Sequence, residues 1–275
     1  MNAVLHADWV RHDIGGPVAS LRLEGTQARY RVVVSDAAEP EVGTYAATLP
    51  AEHARSVYDA LDATHAAGDG TIPAGPHSIR VGVAGDPGVE VAPGTGGPGG
   101  HLVTVLDSVA AACLPGRLAT CTLRATLDAG AGSPAGTLEI AVTATGSQPV
   151  SLLMDANATA ILAGDQWPHG PLAQRALWSA ADVALVGFRG SDRTLLDGIH
   201  LPATIPAGDV ARMYVLHVDR SGDVPAGALL VFGGVIHAPL DASDDPFPED
   251  GFTLVAPITR ADAATGGSSS APPVA

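Results

Sequence analysis

Hydrophobic and polar residues alternate in short runs along the first hundred positions, and a period of two is typical of strands buried on one face. The runs at 21–23 and 30–34 are separated by the turn-forming residues 24–27, so we expect these two runs to form a hairpin. The strands predicted in this part of the chain are 21–23, 30–34, 44–48, 78–83 and 89–91.

Two other segments repeat their apolar residues every three or four positions, which is the spacing of one helix face. The first begins at 49–52, with a proline suited to the first helical position, and ends at Gly68. Its apolar stripe consists of Ala54, Val57, Tyr58 and Leu61. The second covers 101–113 and follows the Gly- and Pro-rich run 93–100, which we interpret as a flexible connector rather than an anion-binding loop.

The pattern changes near residue 116, where alternating strands joined by Gly and Pro turns replace the helical periodicity. We therefore predict a mainly β protein with a small α+β N-terminal unit. Residues 1–116 form an α+β domain with two helices, 117–260 form an antiparallel β-sandwich, and 261–275 form a disordered tail. The strands predicted in the second half are 120–127, 138–143, 150–154, 183–188, 210–218 and 228–237.

The basic residues exclude several classes of chemistry. All 14 are Arg, and without Lys the chain cannot form a Schiff base or build a phosphate-loop lysine site. With 29 acidic residues the net charge is −15, which repels phosphate groups, so we expect neither nucleic acid nor a membrane as partner. The favoured partner is another protein, and the charge favours a basic one.

The sequence shows no recognisable targeting signal, and it contains only two cysteines. The chain begins without the basic and apolar regions of a secretory signal and has no apolar run of 18 residues, so we expect a cytoplasmic protein. The only cysteines are Cys113 and Cys121, which are too few for a zinc cage or a disulfide scaffold. We interpret both as small buried hydrophobic residues that stay reduced.

Three segments of the second half combine strand starts with Pro-Gly turns. They are 143–150 (TATGSQPV), 205–209 (IPAGD) and 224–227 (VPAG). Together they resemble bacterial Ig-like β-sandwich modules of the accessory kind, over about 120–240. The resemblance implies an Ig-like sandwich with a binding or accessory role, although an insertion between Met154 and Ala180 departs from the pattern.

Four short segments of the first half occur in a recognisable order. They are 15–16 (GG), 49–54 (LPAEHA), 78–81 (SIRV) and 106–109 (LDSV). In this order they resemble emfourin-like proteins, which are small α+β inhibitors of thermolysin-type metalloproteases. Two departures are the missing aromatic residue before Ile79 and the proline, Pro17, directly after Gly16. The resemblance implies an inhibitor-like topology for the first half.

Two groups of side chains carry the donor atoms that metals bind. The residues that would share one face of a strand at 4–12 are His6, Asp8 and His12. Two imidazoles and a carboxylate could hold zinc or iron, but we favour the solvated face of an edge strand whose other face carries Leu5 and Trp9. The second group is Asp241, Asp244, Asp245, Glu249 and Asp250, which suits calcium but lacks EF-hand spacing, so we interpret it as a solvated linker.

Nucleophilic catalysis has no support in the sequence. No serine lies between glycines in the turn typical of hydrolases, and Cys113 falls on the apolar stripe of the second helix. We predict no catalytic residue, no metal and no cofactor. A non-catalytic protein-binding or accessory protein, with an inhibitor as one form, is therefore favoured. The alternatives are a metal-dependent enzyme that uses His6, Asp8 and His12 or the acidic group, and a structural assembly subunit.

The segment 164–178 interrupts the strand pattern where a loop is expected. Its candidate partner-binding residues are Trp167, His169 and Arg175, because exposed aromatic and Arg side chains are common binding anchors. Trp178 is expected nearer the core. The alternative is that both tryptophans cap the open end of the sandwich core.

Overall fold

The computed structural model describes residues 4–12, 16–35, 38, 41–68, 76–83, 88–94, 96–128, 135–154, 159–163, 178–179, 185–189, 195–196, 203–219, 224–237 and 251–261. These residues form a mainly β protein, as the alternating pattern predicts. The helices are α1 (Ala51–Ala67) and α2 (Gly97–Cys113). The strands are β1 (Val4–Arg11), β2 (Gly16–Glu24), β3 (Gln27–Val32), β4 (Glu41–Thr48), β5 (His77–Val83), β6 (Val89–Val91), β7 (Arg117–Asp128), β8 (Ala135–Ala144), β9 (Val150–Met154), β10 (Ala160–Leu162), β11 (Trp178–Ser179), β12 (Leu185–Arg189), β13 (Leu195–Leu196), β14 (Ala203–Ile205), β15 (Val210–Asp219), β16 (Leu229–His237) and β17 (Gly251–Arg260).

The first seven strands form an antiparallel sheet in the order β6-β5-β1-β2-β3-β4-β7. The predicted hairpin is confirmed, because Leu23 of β2 lies opposite Ala28 of β3. β1 lies inside the sheet between β2 and β5, so the expectation of an edge strand is wrong. Alternation along a strand shows which face is buried, but it does not show which strands pair with its two edges.

Both helices cover one face of this sheet. A single hydrophobic cluster contains side chains from α1, α2 and β1 to β6. The predicted stripe of α1 is confirmed, with Ala54, Val57 and Leu61 buried and Tyr58 half-buried. The polar face of α1 is exposed to solvent, so the helix gains its stability mainly from packing on the sheet.

The starts of the two helices differ from the predictions. Pro50 is the cap residue of α1 rather than its first helical residue. α2 begins at Gly97, inside the segment expected to be a connector, and its extended cap residue is Gly96. Pro98 is compatible with this start, because the first turn of a helix does not need the backbone donor that proline lacks.

The second half extends the sheet and adds another group of strands. Beyond β7 the sheet continues through β8, β15, β12 and β13. The other group is built around β16, which pairs with β17 and with β9 and β10, and these two pair with β14 and β11 respectively. β17 connects the groups, because it runs antiparallel to β16 and its last residues, 258–260, pair in parallel with β7.

A second hydrophobic cluster contains side chains from β7 and β8 together with side chains from β16 and β17. Its largest fully buried side chains are Leu127, Leu138, Ile140, Ile161 and Phe232. The prediction that both cysteines are core residues is confirmed, since Cys113 is buried in the first cluster and Cys121 in the second. The strands β4 and β7 are hydrogen bonded across the domain boundary predicted near residue 116. The division into two domains stays a prediction.

The two hydrophobic clusters meet at the pairing of β4 with β7. Val42 packs into the second cluster and Tyr45 into the first, because alternate residues of a strand point to opposite faces. Gly43 has a φ of 131°, and a Cβ atom there would overlap the carbonyl oxygen of Ala119 and lie 2.6 Å from the Cα of Thr120. The close approach of the two backbones therefore requires glycine at this position.

Neither helix among the described residues is long and apolar enough to cross a membrane. Residues 262–275, which are almost all of the predicted disordered tail, lie outside the described residues. The acidic group at 241–250 also lies outside them, up to the start of β17 at Gly251. Both expectations stay predictions.

The change Gly43→Ala should lower the free energy of unfolding by about 3 kcal/mol, because it combines an unfavourable φ with a backbone clash. The control is Gly68→Ala at the end of α1, where φ is also positive but no atom lies within 4 Å of the added Cβ. This control should cost only about 1 kcal/mol. Urea denaturation of both variants measures the difference, and equal losses would contradict the requirement for close approach at β4 and β7.

Candidate functional site

The described part of the chain contains a groove between the second half of α2 and the sheet. Its volume is about 740 Å³, within the usual range for ligand clefts. We call it the aromatic groove, and we define it by Trp9, Tyr30, Tyr45, Asp107 and Leu114. These residues come from β1, β3, β4 and α2 and from the turn that follows α2. The groove thus lies where β4 passes between the two hydrophobic clusters.

Three aromatic rings form a continuous row in the aromatic groove. Trp9 and Tyr30 meet edge to face with ring centroids 5.5 Å apart, and Tyr30 and Tyr45 are tilted with centroids 6.2 Å apart. Tyr30 and Tyr45 are direct cross-strand partners in β3 and β4. Ala19 of β2 lies between Trp9 and Val32 in register. Edge-to-face and tilted contacts of this kind stabilise aromatic clusters.

The indole of Trp9 also ties β1 to α2. Its Nε1 donates a hydrogen bond of 3.1 Å to Oδ1 of Asp107. Asp107 is exposed on α2, and among the described residues no Arg or His forms an ion pair with it. The aromatic groove therefore carries an accessible carboxylate beside its first ring.

The opposite end of the groove carries a closed ion pair. Arg117 donates to both carboxylate oxygens of Glu41, with Nε–Oε1 at 2.8 Å and Nη2–Oε2 at 3.1 Å. Thr145 donates to the same Oε1 at 3.2 Å, and Tyr45 is also hydrogen bonded to Glu41. The hydrogen bond to Glu41 raises the pKa of Arg117. Because these partners occupy the Glu41 carboxylate, it is poorly placed to act as a general base.

Both phenols of the aromatic groove stay protonated at neutral pH. Burial, followed by the charge of Asp107, raises the pKa of Tyr30 to about 12. Burial is also the main cause that raises the pKa of Tyr45, and the neighbouring Glu41 carboxylate adds to it. A protonated phenol donates hydrogen bonds and offers an aromatic face, but it is a poor nucleophile. These two side chains therefore offer the groove hydrogen-bond donors and aromatic surface at neutral pH.

The structure separates the metal ligands considered from the sequence. His6 and Asp8 lie on the sheet face opposite the helices, as the alternation predicts. Asp8 accepts a 2.6 Å hydrogen bond from Ser20, whereas Nε2 of His12 lies 3.0 Å from Oγ of Ser78. Burial and the charge of Arg22 lower the pKa of His6. No group of three or more His, Cys, Asp or Glu among the described residues could hold a metal ion.

Ser78, His12 and Glu90 come together at one end of β5, but their order is not that of a catalytic triad. Ser78 donates a hydrogen bond to Glu90, and the same Nε2 of His12 lies 3.4 Å from Glu90. The hydrogen bond from Ser78 lowers the pKa of Glu90, with a further contribution from Arg80. Ser78 is 1% exposed, so its hydroxyl cannot reach a substrate. A triad needs the imidazole between the acid and an accessible serine, so we interpret this cluster as structural.

The partner-binding residues predicted from the sequence are not tested by the described structure. Trp167, His169 and Arg175 lie outside the described residues, and Trp178 belongs to β11, opposite Ile161 of β10. The aromatic groove was missed, because its residues are spread over more than a hundred positions. One signal could have indicated it: four of the seven Trp and Tyr residues lie within the first 58 positions.

Raising the pH above 10 should destabilise the protein in part through Tyr30. Its folded pKa is about 12 and the ordinary value is 10, so the unfolded state loses this proton first. The contribution to stability is complete below pH 10 and is lost as the pH approaches 12. In the Tyr30→Phe variant, the free energy of unfolding should therefore fall by about 1 kcal/mol less between pH 9 and pH 11 than in the unmodified protein. Urea denaturation at the two pH values measures this, and equal losses in both proteins would contradict it.

Comparison with known proteins does not assign a family. No family model matches this chain, and no curated protein matches it. Among solved structures, a family 123 glycoside hydrolase from Clostridium perfringens, described for glycolipid glycan hydrolysis, has 13% sequence identity and a TM-score of 0.18. The match covers 46% of this chain and 21% of that enzyme, so the chain spans about a fifth of its length. Overlap at this TM-score does not establish a shared fold, and that activity is a statement about the enzyme alone.

Proposed function

We propose that this protein is a non-catalytic binding protein that holds a segment of a partner protein in the aromatic groove. The observation that carries the proposal is the row of three aromatic rings in a cleft of about 740 Å³. Trp and Tyr are enriched among the residues that dominate binding energy, because they bury a large area at a low cost in side-chain entropy. A groove with this lining supports recognition of an extended segment.

The chemistry of the aromatic groove supports binding over catalysis. Its phenols are held protonated, and the half-buried carboxylate of Glu41 is bonded to Arg117 and Thr145. Nucleophilic or acid–base catalysis needs a base within hydrogen-bond reach of a reacting group. Among the described groove residues Asp107 is the accessible carboxylate, and its described hydrogen bond is to the indole of Trp9 rather than to a serine, cysteine or histidine.

We also propose the finer fold assignment and the inhibitor-like role. An Ig-like sandwich for 117–260 is supported by the cluster shared between β7, β8, β16 and β17, and by turns at 206–209 and 225–228 that are closed by backbone hydrogen bonds. An inhibitor is one form of the binding role, in which the partner is a protease. The segments that resemble emfourin-like proteins fall at the start of α1, in β5 and within α2, and α2 borders the aromatic groove.

The change Ala111→Trp tests the groove, because Ala111 is exposed on α2 and lines it. An indole at this exposed position would project into the cleft and would not enter the core. We expect it to weaken partner binding by at least about tenfold, since it excludes the partner from the aromatic row. The matched control is Ala112→Trp, which adds the same side chain at the next exposed position of α2, outside the groove lining.

Immobilised protein and an extract of the source cells provide the measurement. Proteins captured by the unmodified chain and by Ala112→Trp, but lost with Ala111→Trp, support a binding groove. Equal capture by both variants, with unchanged melting temperatures, would show that binding occurs elsewhere. The segment 164–178 would then be the next surface to alter.

A further inference from the structure

Charge is distributed unevenly along the aromatic groove. At one end the carboxylate of Glu41 is neutralised by a bidentate bond to Arg117. At the other end Asp107 accepts the indole hydrogen bond of Trp9, and no described basic side chain pairs with it. The groove therefore presents one uncompensated negative charge, on a chain whose net charge is −15. A cationic group is the ligand that this end of the groove favours.

The ring beside Asp107 suits the same kind of ligand. The indole of Trp9 is half-buried, and its Nε1 lies 3.1 Å from Oδ1 of the carboxylate. A cation over an aromatic face is attracted within about 6 Å of the ring centroid, and Trp is the best of the aromatic residues for this contact. A planar guanidinium can stack on a ring and donate to a carboxylate at the same time, which a compact ammonium group does less well. The pairing of ring and carboxylate thus favours arginine over lysine.

The groove is also lined by apolar side chains. Leu114 directly follows α2. It is 44% exposed, and among the described residues it is the one large hydrophobic side chain that lies exposed. Exposed Ala111 and half-buried Val32 also line the groove. An apolar residue close to the cation would cover this surface and remove it from water.

We infer that the occupant of the aromatic groove is an arginine-bearing segment of a basic partner protein, with its guanidinium on Trp9 and Asp107 and a neighbouring apolar side chain on Leu114. The inference rests on the proposed binding function and names the chemistry of the partner. Electrostatic attraction to the acidic chain would also bring such a partner to the surface faster than a neutral one.

A short peptide can test the recognition chemistry directly. The probe is an acetylated tetrapeptide amide with the sequence leucine-arginine-leucine-glycine. Its matched control replaces arginine by citrulline, which keeps the shape and removes the charge. The readout is the indole N–H signal of Trp9 in the NMR spectrum of the full chain, identified by its loss in Trp9→Phe. We expect the arginine peptide to shift this signal and to bind at least about tenfold more tightly than the citrulline peptide, as a charge-assisted contact implies.

Two protein variants of equal net charge separate a local contact from the general field of the chain. Asp107→Asn removes the charge but keeps an oxygen that accepts the indole hydrogen bond. Asp62→Asn removes one charge from the exposed face of α1. We expect about a tenfold loss of peptide affinity in Asp107→Asn and less than a twofold change in Asp62→Asn.

The outcomes distinguish this inference from the proposed function. Equal binding of the arginine and citrulline peptides would overturn the preference for a cation and leave the groove as a binding site. Equal losses of peptide affinity in Asp107→Asn and Asp62→Asn would show that the affinity depends on net charge alone. This result would overturn the assigned contact with Asp107. No shift of the Trp9 signal at millimolar peptide would overturn the inference. The proposed function itself fails only if Ala111→Trp also leaves partner capture unchanged.

Discussion

The pairing of β4 with β7 is the constraint on which the rest of the structure depends. It joins a sheet covered by two helices to the strands of the second half, so a single strand supplies side chains to both hydrophobic clusters. The register places Tyr45 opposite Arg117 and Glu41 opposite Thr122, with an irregularity between Thr44 and Tyr45. This register builds the ion-paired end of the aromatic groove. Any slip by one residue would send Tyr45 to the wrong cluster and remove the groove.

Most strands and both helices could be predicted because their signals are local. The alternating run that became β7 and the stripe of Ala54, Val57 and Leu61 in α1 each reflect burial of one face, which neighbouring residues reveal. The pairing partners could not be predicted in this way. β1 has the alternation of a strand exposed on one face, yet both its edges are hydrogen bonded. The start of α2 was placed too late because Gly and Pro usually mark loops, whereas tertiary packing outweighs that tendency here.

The candidate site was harder to predict than the fold. Each of its side chains is unremarkable in its own segment: Trp9 and Tyr30 continue apolar alternations, and Asp107 lies on the exposed side of a helix. They become a site only when β1, β3 and α2 are brought together, because binding depends on distances between residues that are far apart in sequence. The sequence instead favoured Trp167 and its neighbours, because their segment interrupts the strand pattern where a loop is expected. Aromatic side chains that can anchor a partner also occur in the first 58 residues, but they are spread over several predicted strands and a helix.

The strand β17 has a consequence for how the protein is made. It supplies Phe252, Leu254 and Ala256 to the second cluster and also pairs with β7, where the hydrogen-bonded residues Thr126 and Thr259 are 133 positions apart. A ribosome that adds about 5–20 residues per second needs on the order of ten seconds to travel that distance. During this interval the edge of β7 at residues 125–127 lacks its parallel partner. An unpaired strand edge can pair with other chains, so this is the interval in which a chaperone would matter most.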